Sequence, residues 1–381
     1  MSEQANHHFV PKFYFRNFSE DGARIHLLHR SSGRVILNAA IRGQCAKHRL
    51  YGPTEMERMI SGLEGNFSAA IREAIRTAWA PMDLRLTEEC VFRLLQATLF
   101  QRGRTIHEID KYEAGMESWL LEAFKQHLLN SPGIEYRDRM VKDIENGSIT
   151  LRHDDTWVAM TLMIAALDAV ILITDLRICL VRNHTDFPFL FGDAPVVLCN
   201  SHYRNVTLRG VLGLQTPGLQ IFFPLNARTM LLMLDENVYS GRCKETDIVD
   251  VTDRSDVSQL NALQLHHSLT NVYFGREGDA EYVGDLWNAH KSSIVQSRNV
   301  FRVEKGWLVD GKPEDLLLHG FEPHLNFRLD LSFVKCNPIH PAEHQPSRRT
   351  PELAEEYNRI TKIRNEQIEN ERRLKKNGGP S

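Results

Sequence analysis

A chain of 381 residues with 42% hydrophobic and 25% charged side chains has an ordinary globular balance, and it is long enough to fold without disulfides or a structural metal. Its 46 basic and 49 acidic side chains leave a net charge of -3, which excludes any global electrostatic pull towards nucleic acid or anionic membrane. A local basic groove is still open, because Arg24, Arg30, Arg34, Arg42, Lys47 and Arg49 crowd the first fifty positions, although all six also suit solvated strands and loops.

The N-terminus lacks the basic and apolar blocks of a signal peptide. Residues 9–18 alternate bulky and polar side chains, as in a strand. Two β-prone runs, 24–29 and 35–37, flank Ser31-Ser32-Gly33 and predict a hairpin. From Thr54 the period changes: Met56, Ile60, Leu63, Phe67 and Ile71 recur at helical steps, with Thr54 and Glu57 in capping-box spacing. Pro81 closes this region. Thr87-Glu88-Glu89 opens a second helix, which continues past a break near Gly103 to Asn130-Ser131-Pro132-Gly133.

A third apolar helix starts near Asp154-Asp155 and runs to about Thr174. The stretch 157–181 is interrupted by Asp168, Asp175 and Arg177, so it reads as a core helix feeding a strand, with no membrane span. Short β-rich runs follow at 176–182, 187–198, 219–223 and 230–234, then helical spacing over 257–269 and a strand at 271–274. The expected class is α+β: an N-terminal β-hairpin, a helical middle (about 54–175), a strand-rich second half (about 176–339), then a linker and a charged helical tail over 340–381. That tail has few apolar anchors and is expected to bury little. The six scattered cysteines, Cys45, Cys90, Cys179, Cys199, Cys243 and Cys336, read as reduced thiols of a cytoplasmic protein.

The segment His7-His8-Phe9-Val10-Pro11-Lys12-Phe13-Tyr14-Phe15-Arg16-Asn17-Phe18 resembles the signature HHxVPxFYLRxF of the bacterial family called domain of unknown function 4238. Further segments are similar in the family's order: Tyr51-Gly52, the Glu57 and Glu64 helix, 101–105, Phe191-Gly192-Asp193-Ala194-Pro195-Val196, Phe223-Pro224-Leu225, 257–261 and 271–274. Phe15, Gly192, Ala194 and Ile106 depart from the family pattern. The resemblance spans roughly residues 7–275 and implies kinship without an activity.

Several residues can carry chemistry. Seven positions apart, Glu57 and Glu64 share one direction on the shoulder of an apolar helix face, where paired carboxylates bind Mg²⁺ or Mn²⁺ or divide acid and base roles. Glu57 completing a capping box and Glu64 pairing with an arginine is the structural alternative. His7 and His8, on opposite faces of a strand, are candidates for a general base or for fixing the strand. Arg16 and Arg104 suit a phosphate or carboxylate, with an ion pair from Arg104 to Glu57 or Glu64 as the alternative. Asp193 stands at a strand end, a place for a catalytic or metal-binding carboxylate and also for a turn. Cys45 and His48 have CxxH spacing, and with His7 and His8 they outline a weak zinc arrangement. P-loop, GxSxG and HExxH motifs are absent.

Two expectations follow. One is a metal-dependent phosphodiesterase or nuclease acting on nucleic acid, with His7, His8, Glu57, Glu64 and Asp193 catalytic, the three carboxylates on the metal, and Arg16 and Arg104 on the substrate. The other is a non-catalytic binding or regulatory module, of the kind associated with phage or toxin conflict, that recruits a protein partner through its tail. A further alternative senses a small anion through Arg16 and Arg104 without turnover.

Overall fold

The structure, a computed structural model, describes residues 6–52, 54–81, 85–131, 135–151, 154–205, 211–294, 300–305, 316–321, 327–336 and 348–377. Strand β1 (Asn6–His8) is short and is followed by a one-turn helix α1 (Lys12–Arg16), so the expected strand over 9–18 is corrected. Pro11 has extended dihedrals and its carbonyl accepts from Tyr14 N, which starts the turn. The hairpin forms as expected from β2 (Arg24–His29) and β3 (Arg34–Ala40), and β4 (Ala46–His48) returns antiparallel to β1. Gly33 sits in the turn at φ 69°, and a Cβ there would lie 2.6 Å from the Trp287 ring, so the position needs glycine twice over.

The helical middle consists of α2 (Thr54–Ala78), α3 (Glu88–Gly103), α4 (Ile106–Asn130), α5 (Arg137–Glu145) and α6 (Asp155–Asp168). Thr87 and Thr105 cap α3 and α4 by accepting from Cys90 N and Glu108 N. The capping role expected of Thr54 lies outside the described side chains. Residues 156–173 form the described helical stretch long and apolar enough to cross a bilayer. In the fold it packs against α3 and α4 and ends in a 3₁₀ turn over 169–173.

The strand-rich half holds β5 (Arg177–Asn183), β6 (Phe191–Gly192), β7 (Val197–Cys199), β8 (Gln220–Asn226), β9 (Thr229–Leu234), β10 (Tyr239–Ser240), α7 (Arg242–Glu245), β11 (Ile248–Val251), α8 (Arg254–His267), β12 (Asn271–Phe274) and α9 (Ala280–His290). After these come the hairpin β13 (Val300–Lys305) and β14 (Leu316–Phe321), then β15 (Lys335–Cys336) and α10 (Pro351–Asn377). One sheet runs β11-β5-β9-β8-β7 and another β3-β2-β12-β6, with β11 and β5 parallel. Strands β8 and β9 are buried on both faces. Leu231 and Met233 point into the core shared with the helices, while Met230, Leu232 and Leu234 point into a second core under α8.

The N-terminal motif is an aromatic plug between these layers. Tyr14 stacks on Phe223, Phe15 meets Phe191 and Tyr273 edge-on, and Tyr14 Oη donates to the Pro224 carbonyl. Burying each such ring stabilises by roughly 1.5–3 kcal/mol. Segments far apart in sequence that resemble the family thus meet in one core. All six cysteines are free.

The charged tail is not simply solvated. Arg349, 2% exposed, makes a two-pronged ion pair with Asp175 (2.8 and 2.9 Å) and donates to the carbonyls of Leu172, Leu214 and Thr216. Ala354 is buried behind it, and Arg364 pairs with Asp168. The expectation that the tail buries little fails because one arginine with a matched fork secures its first turn.

Candidate anion-binding groove and the Arg104 junction

Strand β1 places His7 inward and His8 half-buried on the opposite face, as strand alternation requires. His7 Nδ1 accepts from Tyr51 N at 2.8 Å, so the neutral ring carries its proton on Nε2, which faces Glu57 at 3.9 Å, beyond hydrogen-bond length. The ring stacks on Tyr51 at 5.2 Å. His8 Nδ1 lies 3.0 Å from the Gln44 carbonyl, and burial together with the charge of Lys12 pushes its pKa down, leaving it neutral at neutral pH.

Arg104 is buried at the centre of this junction, 2% exposed. Nη1 donates to Glu64 Oε1 at 2.7 Å, Nε to Tyr51 Oη at 3.0 Å, and Nη2 to the His8 carbonyl. Tyr51 Oη also donates to the His8 carbonyl at 3.1 Å. Each guanidinium nitrogen is therefore engaged, and the substrate-binding role expected for Arg104 gives way to a lock between α2, the end of α3 and β1. The void beside Glu64 and Arg104 is about 10 Å³, below what a substrate needs.

Asp193 does not join the other carboxylates. It accepts from the backbone N–H groups of Leu269, Thr270 and Asn271 at 2.8, 2.7 and 3.1 Å, closing the connection from α8 to β12. Burial raises its pKa, and the three donors oppose that rise. Buried Gln264 completes the clasp, accepting from Gly192 N and donating to the Pro195 carbonyl. A Cβ at Gly192 would meet Ser268 Oγ at 2.0 Å, which accounts for glycine here. Among the described residues no group of three or more His, Cys, Asp or Glu side chains is arranged to hold a metal. The Cys45 thiol of the weak zinc arrangement faces Tyr273 Oη at 3.4 Å.

Open space lies next to the junction. A groove of about 400 Å³ is lined by Lys12 and Arg16 of α1, Arg24 at the start of β2, and Ala40, Ile41 and Arg42 after β3. Ile41 N bonds the Ala23 carbonyl and Arg24 pairs with Ala40 in the ladder, so the hairpin folds Arg42 back beside Arg24. Among the described residues the side chains of Lys12, Arg16 and Arg42 make no hydrogen bond or ion pair. Asp21, the carboxylate beside Arg24, is engaged by the N–H groups of Ala23 and Arg24. Four cations thus line one groove. Of these, Arg16 is an anion-binding candidate by sequence and Arg24 and Arg42 belong to the basic crowd, whereas Lys12 carries no such signal. Arg30 leaves that crowd, because it caps α8 through the Leu265 and His266 carbonyls.

A family model described as "Protein of unknown function (DUF4238)" matches residues 6–278, a span that contains both the groove and the junction. No curated protein matches the chain. No solved structure matches it either.

Proposed function

The chain belongs to the DUF4238 family, and from the groove in its family region we propose a binding module that holds the phosphate backbone of a nucleic-acid strand. The observation that carries this reading is the set of Lys12, Arg16, Arg24 and Arg42 around one groove, three of them without a side-chain partner among the described residues. Guanidinium forks match phosphate oxygens, and a local cluster of cations attracts an anion even on a chain whose net charge is -3. Contact through phosphates makes binding indifferent to sequence. The six free cysteines accord with a cytoplasmic site of action.

The metal-dependent phosphodiesterase reading needs Glu57, Glu64 and Asp193 in one cleft. Glu64 is paired with Arg104 and Asp193 closes a turn, so the geometry favours binding without turnover. The outer face of α10 is the natural place for a protein partner within the same reading.

The test is fluorescence anisotropy of a labelled 20-nucleotide single strand with the full chain and with a Lys12→Glu, Arg16→Glu, Arg42→Glu variant. A loss of at least thirtyfold in affinity in the folded variant is expected, with the strand intact in Mg²⁺, in Mn²⁺ and in chelator. Equal affinity of the two proteins would overturn the groove assignment, and metal-dependent cleavage would restore the enzyme reading.

A further inference from the structure

A second cavity, of about 580 Å³, opens between α3, α6, the 213–216 turn and the first turns of α10. We propose that it is a binding site for an amphipathic organic monoanion, an apolar body ending in one carboxylate or sulfonate. This assignment is independent of the nucleic-acid groove.

The walls set the ligand's body. Leu99, Leu162, Leu172, Leu214 and the alanines of α6 line the cavity, and its volume lies within the range of small-molecule sites. The polar groups set the headgroup. Arg102 and Glu108 on one wall neutralise each other at 2.9 Å. Arg348 adds a guanidinium with no hydrogen bond or ion pair among the described residues. One positive charge is left over, which matches one anionic group.

The roof is built rather than loosely laid. The Arg349–Asp175 pair, Thr350 Oγ1 on Asp175, and Gln215 donating to the Leu172 carbonyl at 2.7 Å fix the entry to α10 directly beside the cavity. A preformed cavity binds without the cost of ordering its own walls.

The experiment titrates the full chain with 1-anilinonaphthalene-8-sulfonate, followed by competition with decanoate and with decanol. Two variants accompany it. Ala165→Phe fills the mouth from an exposed lining position, and Arg348→Glu reverses the spare charge. Far-ultraviolet circular dichroism checks that both are folded. Saturable one-site binding is expected, displaced by decanoate at least tenfold better than by decanol and weakened at least tenfold in each variant. Absence of saturable binding, or binding unchanged in either folded variant, would overturn the site. Displacement by decanol as effective as by decanoate would overturn the anionic class.

Discussion

Arg104 joins three chain segments through one guanidinium, so its replacement reports on the junction as a whole. Arg104→Ala leaves the Glu64 carboxylate without its cation and removes a donor from the His8 carbonyl. Breaking a buried pair in this way costs about 3–5 kcal/mol, and the lower end applies because Glu64 is 23% exposed. Arg104→Lys keeps the charge but cannot reach Glu64, Tyr51 and His8 together, so an intermediate loss is expected. Urea unfolding of both variants checks this, and losses under about 0.5 kcal/mol would show that the network contributes little. Asp193 is predicted to behave as a clasp. Asp193→Ala strands three backbone donors, at about 1 kcal/mol or more each. Groove affinity measured on its folded fraction should stay within about twofold of wild type. A tenfold loss in affinity would place Asp193 in the functional site after all.

At the scale of elements, the Arg349–Asp175 pair anchors the first turns of α10, and Arg364 pairs with Asp168 further along. Asp175→Ala should release those first turns, seen as faster amide exchange over residues 353–360, while exchange in β8 and β9 is unchanged. Equal exchange in the two proteins would mean that Ala354 and Tyr357 suffice to hold it. What the sequence made legible follows the same physics. Long apolar periods exposed α2, α3 and the twice-buried β8 and β9, and turn residues exposed the hairpin. Five residues are too few to show a period, so α1 read as strand. The docking of α10 rests on Arg349 and Ala354, which leave no pattern in a charged segment. The groove was half legible: Arg16, Arg24 and Arg42 stood out as cations, but only the β2–β3 return brings them beside Lys12. Glu57 and Glu64 do share a helix shoulder, yet what each one meets, His7 or Arg104, comes from other segments.

For the molecule as a whole, partly buried histidines on α4, α8 and α9 set an acid limit. His107 and His267 lie 4.3 Å apart, and His266 faces His290 at 3.1 Å. Burial pushes His107 and His266 down to about 4 from the usual 6.5, and His267 goes well below its usual value. Between those pH values the unfolded chain binds protons that the folded chain refuses. Stability therefore falls as pH drops from about 6.5 to about 4, by up to about 1.4 kcal/mol per pH unit for each such group. Urea midpoints across this window check it, and His107→Gln with His266→Asn should flatten the slope. A stability that holds level down to pH 4 would contradict the burial of these rings.

The nucleic-acid reading itself is tested most directly by the salt dependence of binding to a single strand. Four phosphate contacts predict a slope of about -3 for the logarithm of affinity against the logarithm of salt concentration. A Lys12→Ala, Arg16→Ala, Arg42→Ala variant keeps one contact and should fall to a slope of about -0.7. A wild-type slope near zero, or a slope the three substitutions leave unchanged, would contradict a phosphate-binding groove at this place.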